Sequence, residues 1–476
     1  MKTKVIIKIS AILLVLVLCL LALVGCGINM DLPSTDAAVT GNGGLAVKKG
    51  EYIYFVNGYQ NATDLKSGDN KGGNKYSAIY RTKLENGELK YNENGELENC
   101  EIIIDKICGF EKTALYIFDD CIYYATPNTE KVISDDKLSN NFELTDFYRA
   151  KLDGTNRTHL YKTTRTSNNT DFAFYKVNQE IHLVIYDGTG LVMVNCSNGK
   201  ATEVCENVSS VALPKYANYN AQNNQIAQGA QNVYYTRSGS EDENLANGNV
   251  LCYASIGESE EHIIASGYNT YTVKLATNEA LVYSKKSAYD LNANNYVIKY
   301  NYNSDNELSL DVQNAGIQLD TTANSEVYLC TFENGNQMGI IVKNSSNKLV
   351  YINYQTDKYQ VLNEETTLTP LYVYGTKVYA YSSDNSIYQI DYKTLAQKIL
   401  FDVSNIDEEV EINTPYFSAN KNFSVCGGYI YYFAQYEGDS ETGYYLNRIT
   451  TAISENYTVE LVGVVQTQHI ATKAEE

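Results

Sequence analysis

Tryptophan is absent from the 476 residues, and histidine is reduced to four. Four imidazoles leave little room for His-based catalysis or a His-rich metal site. The missing Trp slightly weakens a sugar-stacking reading. Positive charge is scarce as well: 37 Lys and Arg stand against 57 Asp and Glu, a formal net charge of −20. Such a surface repels phosphate backbones and excludes nucleic acid as a partner. Anionic membrane surfaces and heparin-like polymers are poor partners for the same reason. There is no GxSxG, HExxH, P-loop or dinucleotide fingerprint. The sequence therefore assigns no catalytic residue, no metal and no cofactor. Past residue 26 no amphipathic helix of useful length occurs. What is present is 44% hydrophobic and 20% charged, the composition of a folded chain and not a disordered one. Tyrosine is abundant, with 43 copies.

The N-terminus reads as a targeting segment. Lys2, Lys4 and Lys8 form a basic region, and Ile9 to Val24 form an apolar run interrupted by one Ser. A spanning helix needs about 20 apolar residues, so this shorter run suits a signal peptide. It ends in Leu23-Val24-Gly25-Cys26, which resembles the lipobox of bacterial lipoproteins. There the resemblance implies that Gly25 fits a peptidase subsite and that the Cys26 thiol takes a diacylglyceryl group. The alternative is an uncleaved signal anchor with an incidental Cys. At about 0.8 kcal/mol per buried CH₂, two or three acyl chains hold a protein at a membrane. Residues 27–44 are small, polar and Gly-rich, and read as a flexible tether. The expected organisation is signal peptide 1–25, lipid-anchored tether 26–44, folded region 45–465 and polar tail 466–476.

One motif recurs through the folded region, an aliphatic or β-branched residue flanked by Tyr. It reads YIYFV at Tyr52–Val56, CIYYA from Cys121, IHLVIY from Ile181 and NVYYT from Asn232. It continues as ALVYS from Ala280, EVYLC from Glu326, KVYAY at Lys377–Tyr381 and YIYYF from Tyr429. The spacing matches the blade period of β-propellers, about 40–50 residues. Flanking short strands bring each unit to four, joined by polar turns. Asn86-Gly87, Asp153-Gly154, Asn198-Gly199 and Asn334-Gly335 supply residues that tolerate φ > 0 in hairpins. Many inner strands are apolar on both faces, as stacked blades require and a two-layer sandwich does not. Eight units are counted, at 45–105, 112–163, 172–206, 208–266, 269–320, 325–362, 368–403 and 412–464. Seven blades is the alternative, with the first and last segments sharing one.

The YIYY and IYR-x-x-L-D-G-like stretches, clearest at 120–154 and 51–87, carry a resemblance. The chain is similar to bacterial, mostly Gram-positive, lipoproteins of unknown function. Their repeats are described as like the β-propeller of low-density-lipoprotein-receptor-related proteins. The resemblance implies a fold and an envelope location, but no activity and no catalytic residues. Units three, five and six depart from it, lacking the pair seen at Tyr80-Arg81 and Tyr148-Arg149.

The remaining candidates divide into structural and chemical readings. Eight cysteines follow Cys26 and include no CxxC, which excludes a thioredoxin or zinc-ribbon site. Most sit in apolar strands and read as reduced core thiols; Cys100 and Cys108 are the alternative disulfide pair. Ser-x-x-Lys occurs from Ser134, Ser197, Ser345 and Ser418, always in polar stretches, and reads as turn composition. His159, His182, His262 and His469 lie far apart and read as strand or surface residues. Asp/Asn-rich turns at 64–70 and 304–307 lack EF-hand spacing and read as solvated. The acids Asp407, Glu408, Glu409 and Glu411 read as a solvated loop between the last two units. Most Tyr belong to the core. Tyr216 and Tyr219, beside an Asn/Gln-rich insertion, are the candidates for an exposed binding surface.

The expectation is an exported, lipid-anchored, all-β propeller facing outside the cytoplasm. Its expected role is non-catalytic binding or scaffolding of a protein, peptide or envelope polymer. A propeller-type polysaccharide hydrolase or lyase and an envelope assembly factor are the alternatives.

Overall fold

The computed structural model describes residues 31–59, 77–93, 97–134, 137–140, 144–164, 170–213, 232–240, 248–276, 280–289, 293–299, 301–302, 308–309, 317–322, 328–333, 336–344, 346–353, 359–364, 366–384, 386–401, 414–416, 423–435, 444–451 and 459–461. The chain divides after Ser34. Before that point residues 31–34 are described and belong to no strand. From Thr35 onward the chain is one body.

The described residues contain strands and no helix, and they form the eight antiparallel blades of a β-propeller. Blade one comprises Ala46–Lys49, Tyr52–Val56, Ile79–Lys83 and Glu101–Ile104. Blade two comprises Tyr116–Phe118, Cys121–Pro127, Thr145–Lys151 and Thr158–Lys162. Blade three follows with Asp171–Val177, Glu180–Tyr186, Leu191–Asn195 and Ala201–Cys205. In blade four the strands are Val208–Ala212, Asn232–Ser238, Asn249–Ser255 and Glu261–Gly267. Blade five has Thr270–Ala276, Ala280–Lys286, Asn294–Lys299 and Ile317–Thr322; blade six has Tyr328–Glu333, Asn336–Lys343, Leu349–Asn353 and Tyr359–Asn363. Blade seven is Thr369–Tyr374, Lys377–Tyr381, Ile387–Asp391 and Gln397–Phe401. In blade eight Thr414–Tyr416 and Phe423–Cys426 both pair with Tyr429–Gln435, followed by Tyr444–Thr450 and Val459–Leu461. The eight units expected from the repeat are these blades. No blade is shared between the chain's two ends, so the seven-bladed alternative does not occur.

From blade four round to blade two, first strands of neighbouring blades approach one another, and that of blade eight reaches that of blade one. The first strands therefore line the axis, and the fourth strands form the rim. Burial follows this order. Tyr52–Val56 is buried at every position, whereas Ala201–Cys205 and Glu261–Gly267 have no buried residue. In blades one to seven the pairing of third and fourth strands shifts register once, the bulge that lets an outer strand twist away.

Each seam between blades is apolar, because no sheet can shield both its faces alone. Between blades two and three, Phe147 meets Phe172 at 4.9 Å and Tyr123 meets Phe174 at 5.2 Å between ring centroids. Between six and seven, Tyr351 and Tyr392 lie 4.6 Å apart. Leu275 and Val282 of blade five pack with Ile340 and Val350 of blade six. Among the described residues most tyrosines are buried, as the sequence suggested: Tyr54, Tyr116, Tyr124, Tyr234 and Tyr431 are among the fully buried side chains.

The Arg of the Tyr-Arg motif has a fixed place in the blade. Arg81, Arg149 and Arg448 occupy the same third-strand position, opposite Tyr54, Tyr123 and Tyr431 in the second strand. The Arg81 guanidinium lies 5.1 Å from the Tyr52 ring and donates to Glu101. Arg448 lies 3.7 Å over Tyr429 and reaches Glu88 of blade one at 3.3 Å. In blade seven Gln389 takes that position, opposite Tyr379, and donates to the Thr451 carbonyl of blade eight at 3.4 Å.

The segment read from composition as tether is, from Thr35 on, bonded into the ring. Val39–Thr40 adds a fifth strand on the axial edge of blade one, opposite Lys48 and Lys49. The chain then turns through Gly41 and Gly43, at φ +88° and +81°. Asn42 makes two bonds to Ile117 of blade two, donating to its carbonyl at 3.0 Å and accepting from its N–H at 2.7 Å. The Leu45 N–H donates to Ser424 Oγ of blade eight at 3.2 Å. A Cβ on Gly44 would lie 2.4 Å from that of Ser424, so the close approach requires Gly. This short segment ties together the blades at which the ring closes.

Candidate functional site

Four antiparallel strands per blade sort every connection onto one of two faces. Links from first to second and from third to fourth strand lie on one face, here the turn face. Links from second to third strand and from one blade to the next lie on the other, the loop face. The turn face has several tight hairpins. Asn178-Gln179 and Gly427-Gly428 place both central residues at positive φ, and Gly50, Asp119 and Gly375 supply one each. Asn86, Gly87, Gly154 and Gly199, expected in such conformations, adopt them between third and fourth strands.

The loop face receives the longer second-to-third connections, from Val56 to Ile79 in blade one and from Pro127 to Thr145 in blade two. The latter carries a hairpin of Lys131–Ser134 and Lys137–Asn140. Here too lie the two most exposed described tyrosines, Tyr289 at 98% and Tyr268 at 66%. They leave the same end of one strand pair, since Thr270 stands opposite Lys286 in blade five. Tyr268 precedes Thr270, and Tyr289 follows Lys286. The Tyr289 N–H donates to Ser287 Oγ at 3.2 Å, which fixes the local turn. Lys286 is exposed and Lys285 half-buried, and neither engages an acid among the described residues. Sequence reasoning passed over this pair because Tyr was assigned to core strands. The available signal was a Tyr among turn formers, Gly267-Tyr268-Asn269 and Ala288-Tyr289-Asp290.

The ion pairs and polar networks serve architecture. Glu261 accepts from Arg237 at 2.9–3.0 Å and from the Tyr235 hydroxyl at 2.7 Å. Burial works against its charged form, but those donors hold the carboxyl below the usual range. Asp391, bonded by Lys377, Thr376 and two turn amides, is likewise held well below that range despite its partial burial. At the rim of blade two, His159 Nε2 lies 2.9 Å from Asp146, whose second oxygen accepts from Asn128 at 2.7 Å. This fixes an imidazole whose ring meets Tyr148 edge-on at 5.0 Å. His182 is buried, and burial lowers its pKa. His262 stacks on Tyr253 at 4.7 Å. These three are the strand residues that the sequence indicated; His469 lies outside the described residues.

The structure gives the other candidates these places. Cys26, Leu23, Val24 and Gly25 lie outside the described residues. So do Tyr216 and Tyr219, in the connection between the first two strands of blade four, whose ends Ala212 and Asn232 are on the turn face. The stretches 64–70, 304–307 and 407–411 also lie outside them. Ser134 and Lys137 flank a hairpin turn, and Ser197 to Lys200 form another, as turn composition implies. The Ser345 and Ser418 matches involve undescribed residues. Cys100, Cys108, Cys121, Cys196, Cys205, Cys252 and Cys426 are free thiols. Among the described residues no group of acids, Cys and His is arranged to hold a metal, and no helix is long and apolar enough to cross a membrane.

No protein-family profile matches the sequence, and no curated protein does. Similar solved structures include an oligogalacturonate lyase in complex with manganese, at 13% identity and TM-score 0.35, over 63% of this chain and 82% of that one. The acylaminoacyl peptidase of Pyrococcus horikoshii aligns at 9% identity and TM-score 0.38, over 75% of this chain and 52% of its own. The tricorn protease aligns at 11% identity and TM-score 0.27, over 87% of this chain and 38% of its own. At these values the likeness carries no activity across.

Proposed function

We propose that this chain is an exported, lipid-anchored propeller that holds a protein, peptide or envelope polymer on its loop face without converting it. The observation that carries the reading is the separation of the two faces. Thr35, the first residue of the body, is bonded on the turn face, to Asp120 at 2.7 Å and to Lys49 at 2.8 Å. The exposed Tyr268 and Tyr289 stand on the opposite face. The body's first residue is thus bonded on one face, and the aromatic surface stands on the other. Tyr gives large contact area at low entropic cost, which suits it to recognition.

Two measurements test this. Metabolic labelling with a fatty acid is expected to mark the wild-type chain and spare Cys26→Ser; a labelled variant refutes the anchor. Incubation of the purified full-length chain with envelope glycans and peptides is expected to show binding with no shortened products. Any turnover abolished by a single substitution refutes the non-catalytic role.

A further inference from the structure

We propose that Tyr268, Tyr289 and Lys286 form a binding site for a glycan that carries isolated carboxylates. The inference rests on the binding role above and names its ligand class. Two nearly free phenol rings at one strand end offer flat apolar faces, against which the C–H faces of pyranose rings can stack. Exposed Lys286, opposite Thr270 at that same end, adds a local positive charge in a chain whose net charge is −20. The two scales of charge select between anions. Near the patch, a single carboxylate meets Lys286 over a few ångströms, where screening is weak. A chain that runs on past the patch lies within a Debye length, about 8–10 Å at working ionic strength, of the surrounding acidic surface and is repelled by it. A densely charged polymer extends over that surface and is penalised along its length. A neutral sugar forgoes Lys286. A glycan with one carboxylate per disaccharide gains Lys286 and limits the repulsion. Tyrosine supplies the rings that the absent Trp does not. A flexible acidic peptide brings carboxylates but no ring faces, and loses more entropy on ordering.

The test uses the full-length chain in detergent with four hexameric probes: hyaluronan, which has one carboxylate per disaccharide, neutral chitohexaose, heparin and hexaglutamate. Hyaluronan is expected to bind tightest, chitohexaose several-fold more weakly, and heparin and hexaglutamate weakest. Tyr268→Ala and Tyr289→Ala are each expected to weaken both neutral and hyaluronan binding about tenfold, a single ring contact of about 1.4 kcal/mol. Lys286→Gln is expected to lower hyaluronan to the chitohexaose level and leave chitohexaose unchanged. These side chains are exposed, so the variants fold, and urea midpoints equal to wild type confirm it. Hyaluronan binding that is absent, or indifferent to all three substitutions, overturns the site. Heparin or hexaglutamate binding tightest overturns the ligand class. Shortened hyaluronan, with binding still lost in the Tyr variants, keeps this site and refutes the non-catalytic reading instead.

Discussion

Replacing Arg448 asks what holds the ring closed. Its side chain is fully shielded, whereas its partner Glu88 is 61% exposed. The guanidinium over Tyr429 is a desolvated cation–π contact, worth about 2 kcal/mol. The ion pair to a mostly hydrated carboxylate adds less than about 1 kcal/mol. Against both stands the cost of taking a guanidinium out of water, several kcal/mol after relaxation. Packing is then the dominant favourable contribution. Arg448→Met keeps the stem volume and sheds the charge, and is expected within about 1 kcal/mol of wild type. Arg448→Ala leaves a cavity between blades eight and one and is expected to cost about 2–4 kcal/mol. Glu88→Gln is expected to cost less than about 1 kcal/mol. The assay is urea unfolding followed by tyrosine fluorescence, comparing midpoints at unchanged slope. Should Arg448→Met fall as far as Arg448→Ala, with Glu88→Gln following, the charge and not the volume closes the ring and the reasoning fails.

Two further expectations concern titration and thiols. Burial lowers the pKa of His182, so the unfolded chain binds its proton at a higher pH than the folded chain. The resulting stability is complete above the unfolded value near 6.5 and is lost as pH falls below it, at most about 1.4 kcal/mol per pH unit. Unfolding midpoints of wild type and His182→Gln are expected to diverge between about pH 7.5 and 5.5, and parallel curves contradict the assignment. Burial also pushes the thiols of Cys100, Cys196 and Cys426 up to about 12. At pH 8 a maleimide is expected to leave the buried Cys196 and Cys426 unmodified in the native protein, and to label all eight cysteines after Cys26 once the chain is denatured without reductant. Peptide mapping that finds native Cys196 modified refutes the burial, and fewer than eight labels reveals a disulfide.

The blades were legible in the sequence because their causes are local. Tyr52–Val56 is apolar throughout and buried throughout, since the sheets on either side cover both faces. Asn86-Gly87 marks a hairpin because both residues accept positive φ there. Ring closure was not legible, because its bonds are made over long separations. Asn42 bonds Ile117 across 75 residues, Leu45 bonds Ser424 across 379, and Arg448 meets Glu88 across 360. A Gly- and Asn-rich composition cannot distinguish a tether from a segment threaded between backbones, since both need small residues. The exposed tyrosines were hidden for a related reason. In a chain whose tyrosines fill seams, Tyr268 and Tyr289 differ from the rest only in lying just outside a strand, and strand ends are the least certain feature of a repeat read from sequence.

Strand parity explains how the two faces come to differ. A blade of four strands returns the chain to the face on which it began, so each blade starts on the loop face. Growth in any second-to-third connection or any link between blades accumulates there, while growth in a first-to-second or third-to-fourth connection, such as that from Ala212 to Asn232, falls on the turn face. Left to this rule, the N-terminus would also enter on the loop face, among the connections that carry the exposed tyrosines. The strand Val39–Thr40 breaks the rule by making blade one five-stranded. Because it runs antiparallel to Ala46–Lys49, it carries the chain's entry to the turn face, where Thr35 meets Asp120 and Lys49. Two paired residues thus move the start of the folded body across the thickness of the ring. The axial edge that they occupy is otherwise an open row of backbone donors and acceptors on Ala46–Lys49, so the same pairing also satisfies an exposed strand. One local addition closes an edge and, with Asn42 and Leu45 just after it, joins three blades.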